Sequence, residues 1–220
     1  MTQHLLGEDT YRKALQNYLS TNAYNVAEPQ DLFNALDNAA AEDNALTAYG
    51  GITIEEYMKT WSDQGGHPML TVVVDHSTGR MTVTQERWNV NSGVSSISSS
   101  WHIPITWTRA GAVDFANLKP TQIITQTSTV IDRGTTGREW VIFNKQQSGF
   151  YRVNYDPDTW ALITQALRNP TSRLQIHEYN RAQIVDDVFI MARAGVLSYS
   201  SAFNILSFLE FEDQYAPWIA

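Results

Sequence analysis

The stretch that most limits the fold runs from Trp140 to Asp156, WVIFNKQQSGFYRVNYD. It begins with aromatic and β-branched residues, continues through polar residues that end at Gly149, and then alternates between apolar and polar side chains. The alternation places three side chains on one face, those of Tyr151, Val153 and Tyr155. The pattern predicts a β-hairpin with a loop of a few residues.

Strand-like and helix-like patterns divide the chain at this point. Asp156 suits a helix N-cap and Pro157 suits the first helical position. The helix-like segments before the strands run from Leu5 to about Thr21 and from about Pro29, and Thr53 to Glu56 forms a capping box. Short strands with turns between them follow from Met69, and these features predict a small antiparallel β-sandwich.

The strands between Met69 and Trp140 are separated by polar segments. The clearest strand signal is the spacing by two of Trp101, Ile103, Ile105 and Trp107. Residues 89–100 are rich in serine and predict a long polar loop. After Asp156 the helical period returns, Gly195 suits a helix end and Ser198 suits a cap. Paired helices with short connections predict an α-bundle or an α-solenoid.

Composition excludes several classes of function. The net charge of −8 leaves no basic excess to neutralise phosphates, so we expect no nucleic-acid partner. The chain has no cysteine, which excludes disulfides, thiolate metal sites and a cysteine nucleophile. Hydrophobic residues make up 43% of the chain, enough to build packed cores rather than a disordered segment.

The histidines are considered as zinc ligands, because histidine commonly binds zinc in proteins. None of the five, His4, His67, His76, His102 and His177, has another histidine three or four residues away. His177 and Glu178 begin like the zinc motif H-E-x-x-H, but the second ligand position is Arg181, which cannot bind zinc. The interpretation that fits better is a residue near a helix start.

Other residues of types that can take part in catalysis also have structural interpretations. Asp186 and Asp187 resemble paired catalytic carboxylates, but successive helix positions point about 100° apart. We therefore expect one to be solvated and the other to cap a helix or pair with a cation. Arg152 is expected to pair with an acid at a domain junction. The serines after Ser92 form no nucleophile elbow.

The tryptophans leave two interpretations open. Trp101, Trp107 and Trp140 lie in apolar strand-like segments, where large aromatic side chains are commonly part of the core. A platform on which carbohydrate stacks is the alternative. From the residues alone, the chain is an ordered scaffold with no candidate catalytic, cofactor-binding or metal-binding residue.

Five segments, in order along the chain, resemble the aminopeptidase N family of gluzincin metallopeptidases. They are Tyr11–Phe33, YRKALQNYLSTNAYNVAEPQDLF; the pattern Trp-x-x-Gln-x-Gly-x-Pro at Trp61, Gln64, Gly66 and Pro68; Trp101–Ile105; the W-x-x-x-N…G-(F/Y)-Y-R-V-x-Y pattern of Trp140–Tyr155; and Asn180–Asp187. The segments NRAQIVDDVF and AFNILSFLE are most similar to the sequences of insect midgut members of this family.

The resemblance implies a multidomain α+β fragment in three parts. Residues 1–66 would be the C-terminal helices of a thermolysin-like catalytic domain. Residues 67–156 would be an antiparallel β-sandwich domain, and residues 157–220 the first helices of a solenoid-like helical repeat domain. The zinc motif, the exopeptidase motif and the transition-state tyrosine would precede Met1, so the resemblance implies no catalytic, cofactor-binding or metal-binding residue in this chain.

The resemblance also implies a function for the parent protein. That protein would be a zinc-dependent aminopeptidase that removes N-terminal amino acids from peptide substrates, with zinc as the cofactor of the parent and none bound by this segment. It would lie on the extracellular face of the plasma membrane, held by an anchor outside this segment. The alternatives are a binding module for a bacterial toxin, suggested by the loop at 89–100, and a carbohydrate-binding sandwich with helical flanks.

Overall fold

The computed structural model describes residues 1–96 and 98–220, which fall into two compact units. Unit 1 comprises Met1–Gly65, Trp101–Ile105 and Lys119–Thr125. Unit 2 comprises Gly66–Ser100, Thr106–Leu118 and Gln126–Ala220. Helices and strands are both present, so the predicted mixture of α and β structure is confirmed.

The described residues form helices at both ends of the chain and strands in the middle. The helices are α1 (Thr2–Leu6), α2 (Glu8–Thr21), α3 (Pro29–Glu42), α4 (Ile54–Ser62), α5 (Pro157–Arg168), α6 (Pro170–Arg173), α7 (Glu178–Arg193), α8 (Tyr199–Leu206) and α9 (Tyr215–Ile219). The strands are β1 (Pro68–Asp75), β2 (Arg80–Asn89), β3 (Gly93–Val94), β4 (Ile103–Ile105), β5 (Trp107–Arg109), β6 (Gln122–Ile124), β7 (Ser128–Asp132), β8 (Val141–Phe143) and β9 (Arg152–Tyr155).

Unit 1 is built from α1 to α4 and the short β4–β6 ladder. Its core lies between the helices and is formed by apolar side chains with an exposed fraction below a tenth: Leu5, Leu6, Ala14, Leu36, Ala39, Ala40, Leu46, Ile54 and Tyr57. The predicted single helix from Leu5 to Thr21 is wrong. Gly7 has φ 85°, a left-handed conformation that favours glycine, and it separates α1 from α2.

Three predicted helix starts are confirmed by side-chain caps. The hydroxyl of Thr53 accepts from the backbone N–H of Glu56 at 3.1 Å, and the carboxylate of Glu56 accepts from the N–H of Thr53 at 3.0 Å. Asp156 accepts from Thr159 N at the start of α5, and Ser198 accepts from Ser201 N at the start of α8. Each cap satisfies N–H groups that the first helical turn leaves without a partner.

The main sheet of unit 2 has the strand order β3-β2-β1-β9, and β7 also pairs with β2. β1 and β2 form an antiparallel hairpin in which Asp75 lies opposite Arg80. β9 pairs with β1 in parallel, with Met69 opposite Arg152 and Val72 opposite Tyr155. The sheet is therefore mixed, which corrects the prediction of purely antiparallel strands.

The predicted hairpin in Trp140–Asp156 is wrong. β8 pairs with β5 in a separate ladder, whereas β9 joins β1. The connection turns away from a hairpin because three of its residues have left-handed backbones, namely Asn144 (φ 62°), Gln146 (φ 51°) and Gln147 (φ 53°). Such conformations are uncommon outside glycine, so polarity alternation alone did not indicate them.

Two other strand predictions are changed in detail. The spacing by two from Trp101 to Trp107 spans two strands, since β4 pairs with β6 in unit 1 and β5 pairs with β8 in unit 2. Within the predicted loop at 89–100, β3 pairs with the end of β2. Ile97, in the same loop, lies outside the described residues.

Candidate functional site

The side chains of the partial zinc motif at the start of α7 make structural contacts. The Nδ1 atom of His177 accepts from Tyr179 N at 3.2 Å and caps α7, so the predicted position near a helix start is confirmed. Arg181, in the place of the second histidine, is buried and binds Glu212 through both carboxylate oxygens, at 2.6 and 3.0 Å. Neither side chain is arranged to hold a metal.

No other group of residues offers a zinc site in the part of the chain that is described. Across residues 1–96 and 98–220, no three His, Asp or Glu side chains lie together in a way that could hold a metal ion. His67 and His102 are each partly buried, and burial lowers the pKa of both side chains. The zinc that the resemblance implies for the parent protein would be bound outside this segment, and these histidines are not arranged to hold it.

The adjacent aspartates of α7 meet Arg152 of β9. Arg152 Nη1 lies 2.6 Å from Asp186 Oδ2 and 2.8 Å from Asp187 Oδ1. The second oxygen of Asp187 accepts from Val153 N at 3.1 Å and from Gln183 Nε2 at 3.3 Å. The predicted pairing of Arg152 with an acid is confirmed, and the pair joins a strand to a helix within unit 2.

The two aspartates differ in their surroundings. The Asp186 side chain is 39% exposed, so one aspartate is partly solvated as predicted, whereas the Asp187 side chain is only 5% exposed. Contrary to the expectation that only one would be paired, a single guanidinium nitrogen binds both. It can reach both because carboxylates about 100° apart on a helix can converge on a cation in the plane between them.

Burial also changes the ionisation of this cluster. It raises the pKa of Asp187 to about 6, although the positive charge of Arg152 and the Val153 N–H act in the opposite direction. The same burial, with repulsion from Arg152, lowers the pKa of His67, which Asp186 partly offsets. The cavity beside Asp187 measures only about 10 Å³, near the lower limit for one water molecule, so the cluster has no room for a substrate.

A second network, which sequence reasoning missed, holds the β8–β9 connection against α7. Asn180 Oδ1 accepts from Gln146 N at 2.7 Å, and Asn180 Nδ2 donates to Asn144 O at 2.8 Å. Within the connection, Asn144 Oδ1 accepts from Gly149 N at 2.7 Å and its Nδ2 donates to Tyr151 O at 3.1 Å. The available signal was Asn144 itself, because asparagine tolerates left-handed backbone better than most residues.

The tryptophans belong largely to the core. Trp101 is fully buried, and Trp140 is 5% exposed. Trp107 is partly exposed, and its ring stacks on Phe143 at a centroid distance of 6.1 Å. The core interpretation is confirmed for Trp101 and Trp140, because a platform for carbohydrate needs ring faces that a sugar can reach.

Sequence comparisons show which class of protein this chain resembles. The ERAP1-like C-terminal domain family matches residues 140–220, which include β8, β9 and all the helices from α5 to α9. The whole chain is 64% identical over 220 residues to a "Membrane alanyl aminopeptidase" of Manduca sexta. It is 53% identical over 221 residues to a protein of the same name in Heliothis virescens, and 35% identical over 226 residues to "Aminopeptidase N" of Plutella xylostella.

These matches confirm the resemblance to the aminopeptidase N family from one end of the chain to the other. In each of the three comparisons, 100% of the chain is aligned. The chain spans only 22 to 23% of the length of these relatives, so it is similar to a segment of them. Among the described residues, no helix has both the length and the apolar character required to cross a bilayer.

Proposed function

We propose that this chain is a segment of a zinc metallo-aminopeptidase that removes N-terminal amino acids from peptides. The observation that carries the proposal is the 64% identity, over the whole chain, to a protein named membrane alanyl aminopeptidase. Zinc would be the cofactor of the parent protein, bound by residues outside this segment. The segment itself would contribute a scaffold rather than reacting groups.

The proposed scaffold has three parts. Residues 1–66 would complete a thermolysin-like catalytic domain, residues 67–156 would form a sandwich domain, and residues 157–220 would begin a helical repeat domain. The division between Gly65 and Gly66 supports the first boundary, and the family match that begins at residue 140 supports a helical domain in the last part.

The contacts of α7 suggest what the segment does for the parent enzyme. Arg152 with Asp187, and Asn144 with Asn180, tie residues of the proposed sandwich to the first long helix of the proposed helical domain. Buried paired charges are sensitive to displacement, because separating them leaves a charge without a partner. In this proposal the two contacts keep the helical domain at a constant angle to the sheet.

The proposed location is the outer face of the plasma membrane, through an anchor elsewhere in the parent protein. The word "membrane" in the names of the Manduca sexta and Heliothis virescens relatives supports this location. The toxin-binding alternative was suggested by the polar loop at 89–100, and no contact of the described residues of this loop favours such a partner.

The test is to express the protein encoded by the complete transcript that contains this segment. The purified protein should release alanine from an alanyl anilide, lose that activity to a zinc chelator and regain it with added zinc. The control is the same protein with Arg138→Ala, a change at an exposed ion pair that should leave activity unchanged. A folded, zinc-supplemented protein that releases no N-terminal residue from a panel of peptides would overturn the proposal.

A further inference from the structure

Strand β7 lies at an edge of the main sheet of unit 2. Among the residues that the structure describes, its one ladder partner is β2, with Thr82 opposite Val130 at the centre of the pairing. Backbone hydrogen bonds beyond both ends continue this ladder, from Gln85 N to Thr127 O at 2.8 Å and from Arg133 N to Gly79 O at 2.9 Å. The other side of β7 carries no described strand.

The register determines which main-chain groups point away from the sheet. Residues of an antiparallel strand alternate between bonding to the neighbouring strand and pointing away from it. Since Thr127 and Arg133 bond toward β2, the N–H and C=O groups of Ser128, Val130 and Asp132 point outward. In the described part of the chain these outward main-chain groups have no hydrogen-bond partner.

The edge also lacks the features that usually prevent pairing between sheets. The sequence of β7, STVID, contains no proline, lysine or glycine, and its middle residues are β-branched. Val130 is 47% exposed and lies on the same face as Val73 of β1, which is 50% exposed, since both residues lie opposite Thr82. A regular, largely uncharged edge of this kind is a template for another strand.

We propose that β7 pairs with β7 of a second copy of this chain, antiparallel and about a two-fold axis through Val130. In this register the three outward-pointing residues of one copy meet the three of the other, with two hydrogen bonds for each pair. Val130 lies opposite Val130 of the second copy, and Ser128 lies opposite Asp132. The surface is self-complementary, because the serine hydroxyl donates to the aspartate carboxylate.

The side chains favour pairing with a second copy about Val130 over pairing about Asp132. A two-fold axis at Asp132 would place two carboxylates directly opposite each other, which is unfavourable. The axis at Val130 instead pairs two exposed β-branched side chains, a favourable cross-strand combination. The Asp132 carboxylate already accepts from Gly134 N through Oδ1 at 2.7 Å, which leaves Oδ2 for the serine of the second copy. The proposal is independent of the aminopeptidase activity.

The absence of cysteine from the chain permits a test that reports the register directly. In Val130→Cys, the two thiols would face each other across the axis, with Cα atoms about 5.5 Å apart, within the range of a disulfide. Mild oxidation should convert this variant to a covalent dimer. The matched control is Val73→Cys, equally exposed on the same sheet face but on an inner strand, which should stay monomeric.

A second pair of variants tests the association without cross-linking. Wild type should dimerise with increasing concentration in sedimentation equilibrium. Val130→Lys, which opposes two ammonium groups, should weaken the dimer by roughly tenfold or more, whereas Val73→Lys should not. Far-UV circular dichroism and melting curves show whether both variants fold alike.

The outcomes separate cleanly. Selective cross-linking of Val130→Cys supports the proposal, as does selective loss of the dimer in Val130→Lys. A wild type that stays monomeric to its solubility limit, with no cross-linked Val130→Cys, would overturn it. Equal cross-linking of the two cysteine variants would overturn it too, because it would indicate association without this register.

Discussion

The start of α4 and the connection between β8 and β9 are both held by side chains that bind backbone groups, but their partners lie at different sequence separations. At α4 the Thr53 hydroxyl and the Glu56 N–H are three residues apart. In the connection, Gln146 N donates to Asn180, which is 34 residues away. The first arrangement was predicted from the sequence, and the second replaced a predicted hairpin, so sequence patterns are most informative where a segment supplies its own partners.

The same difference has an energetic consequence. A local cap stabilises one helix end that water also reaches, whereas the contacts of α7 with β9 and its preceding connection are largely buried. We therefore expect substitutions in the second region to cost more free energy of unfolding, and the following changes test that expectation from the largest effect to the smallest.

Arg152→Ala should cost about 3–5 kcal/mol of unfolding free energy, because Asp187 would remain buried without its cation. Urea unfolding measures the loss, and hydrogen exchange should show faster exchange at Val153 N. The control is Arg138→Ala, whose pair with Asp158 is more than half exposed on both sides and is worth about 0–1 kcal/mol. Equal losses of unfolding free energy in the two variants would show that the buried ion pair contributes no more than the exposed one.

Asn180→Ala should cost about 1–3 kcal/mol, because Gln146 N loses its acceptor and Asn144 O loses a donor. The control is Asn204→Ala in α8, where the lost side-chain partner is the exposed Arg168, and the change should stay within about 0.5 kcal/mol. If Asn180→Ala is as mild as its control, the connection keeps its left-handed conformation by itself.

The stability of unit 2 should depend on pH through Asp187. Its pKa is raised to about 6 in the folded state, so its contribution is fully present below its unfolded pKa and is lost as the pH rises through about 6. Between pH 7 and pH 5, wild type should gain roughly 1 kcal/mol relative to Asp187→Asn.

The comparison with Asp187→Asn is necessary because His67 acts in the opposite direction. Burial lowers its pKa, so its contribution is present above its unfolded pKa and is lost as the pH falls through the folded value. Both proteins contain His67, and their difference isolates Asp187. A difference that does not change between pH 7 and pH 5 would contradict the raised pKa.

Apart from the controls, Thr53→Ala should cost the least of the three alanine substitutions, about 1 kcal/mol of unfolding free energy, and the loss should appear in unit 1. Thr53→Ser retains the hydroxyl that accepts from Glu56 N and should remain close to wild type. A loss as large as that of Arg152→Ala would show that local caps are as important here as the buried contacts.

The helical parts of the chain were largely predictable because their signals are local. The starts of α3, α4, α5 and α8 follow from Pro29, Thr53, Asp156 and Ser198, each of which acts on its own first turn. The break at Gly7 was not predicted, because glycine permitted a break that the apolar spacing did not require.

Strand partners were not predictable in the same way. Alternating polarity indicated that 152–155 is a strand, but it does not indicate which strand lies beside it. The pairing of β9 with β1 links residues about 80 positions apart, and that choice depends on the other contacts of both segments. The sequence predicted that the partner of Arg152 would be an acid. That Arg152 binds both Asp186 and Asp187 became evident only from the packing of α7 against β9.

The amino-acid sequence was sufficient to establish the mixture of helices and strands, most helix starts, the burial of Trp101 and Trp140, and the resemblance to the aminopeptidase N family. Each of these depends on residue types and short spacings. Tertiary structure decided the parallel pairing of β9, the left-handed path through Asn144 and the raised pKa of Asp187. These depend on which distant groups are brought together and shielded from water, and the energies of hydrogen bonds and charges are set by those surroundings.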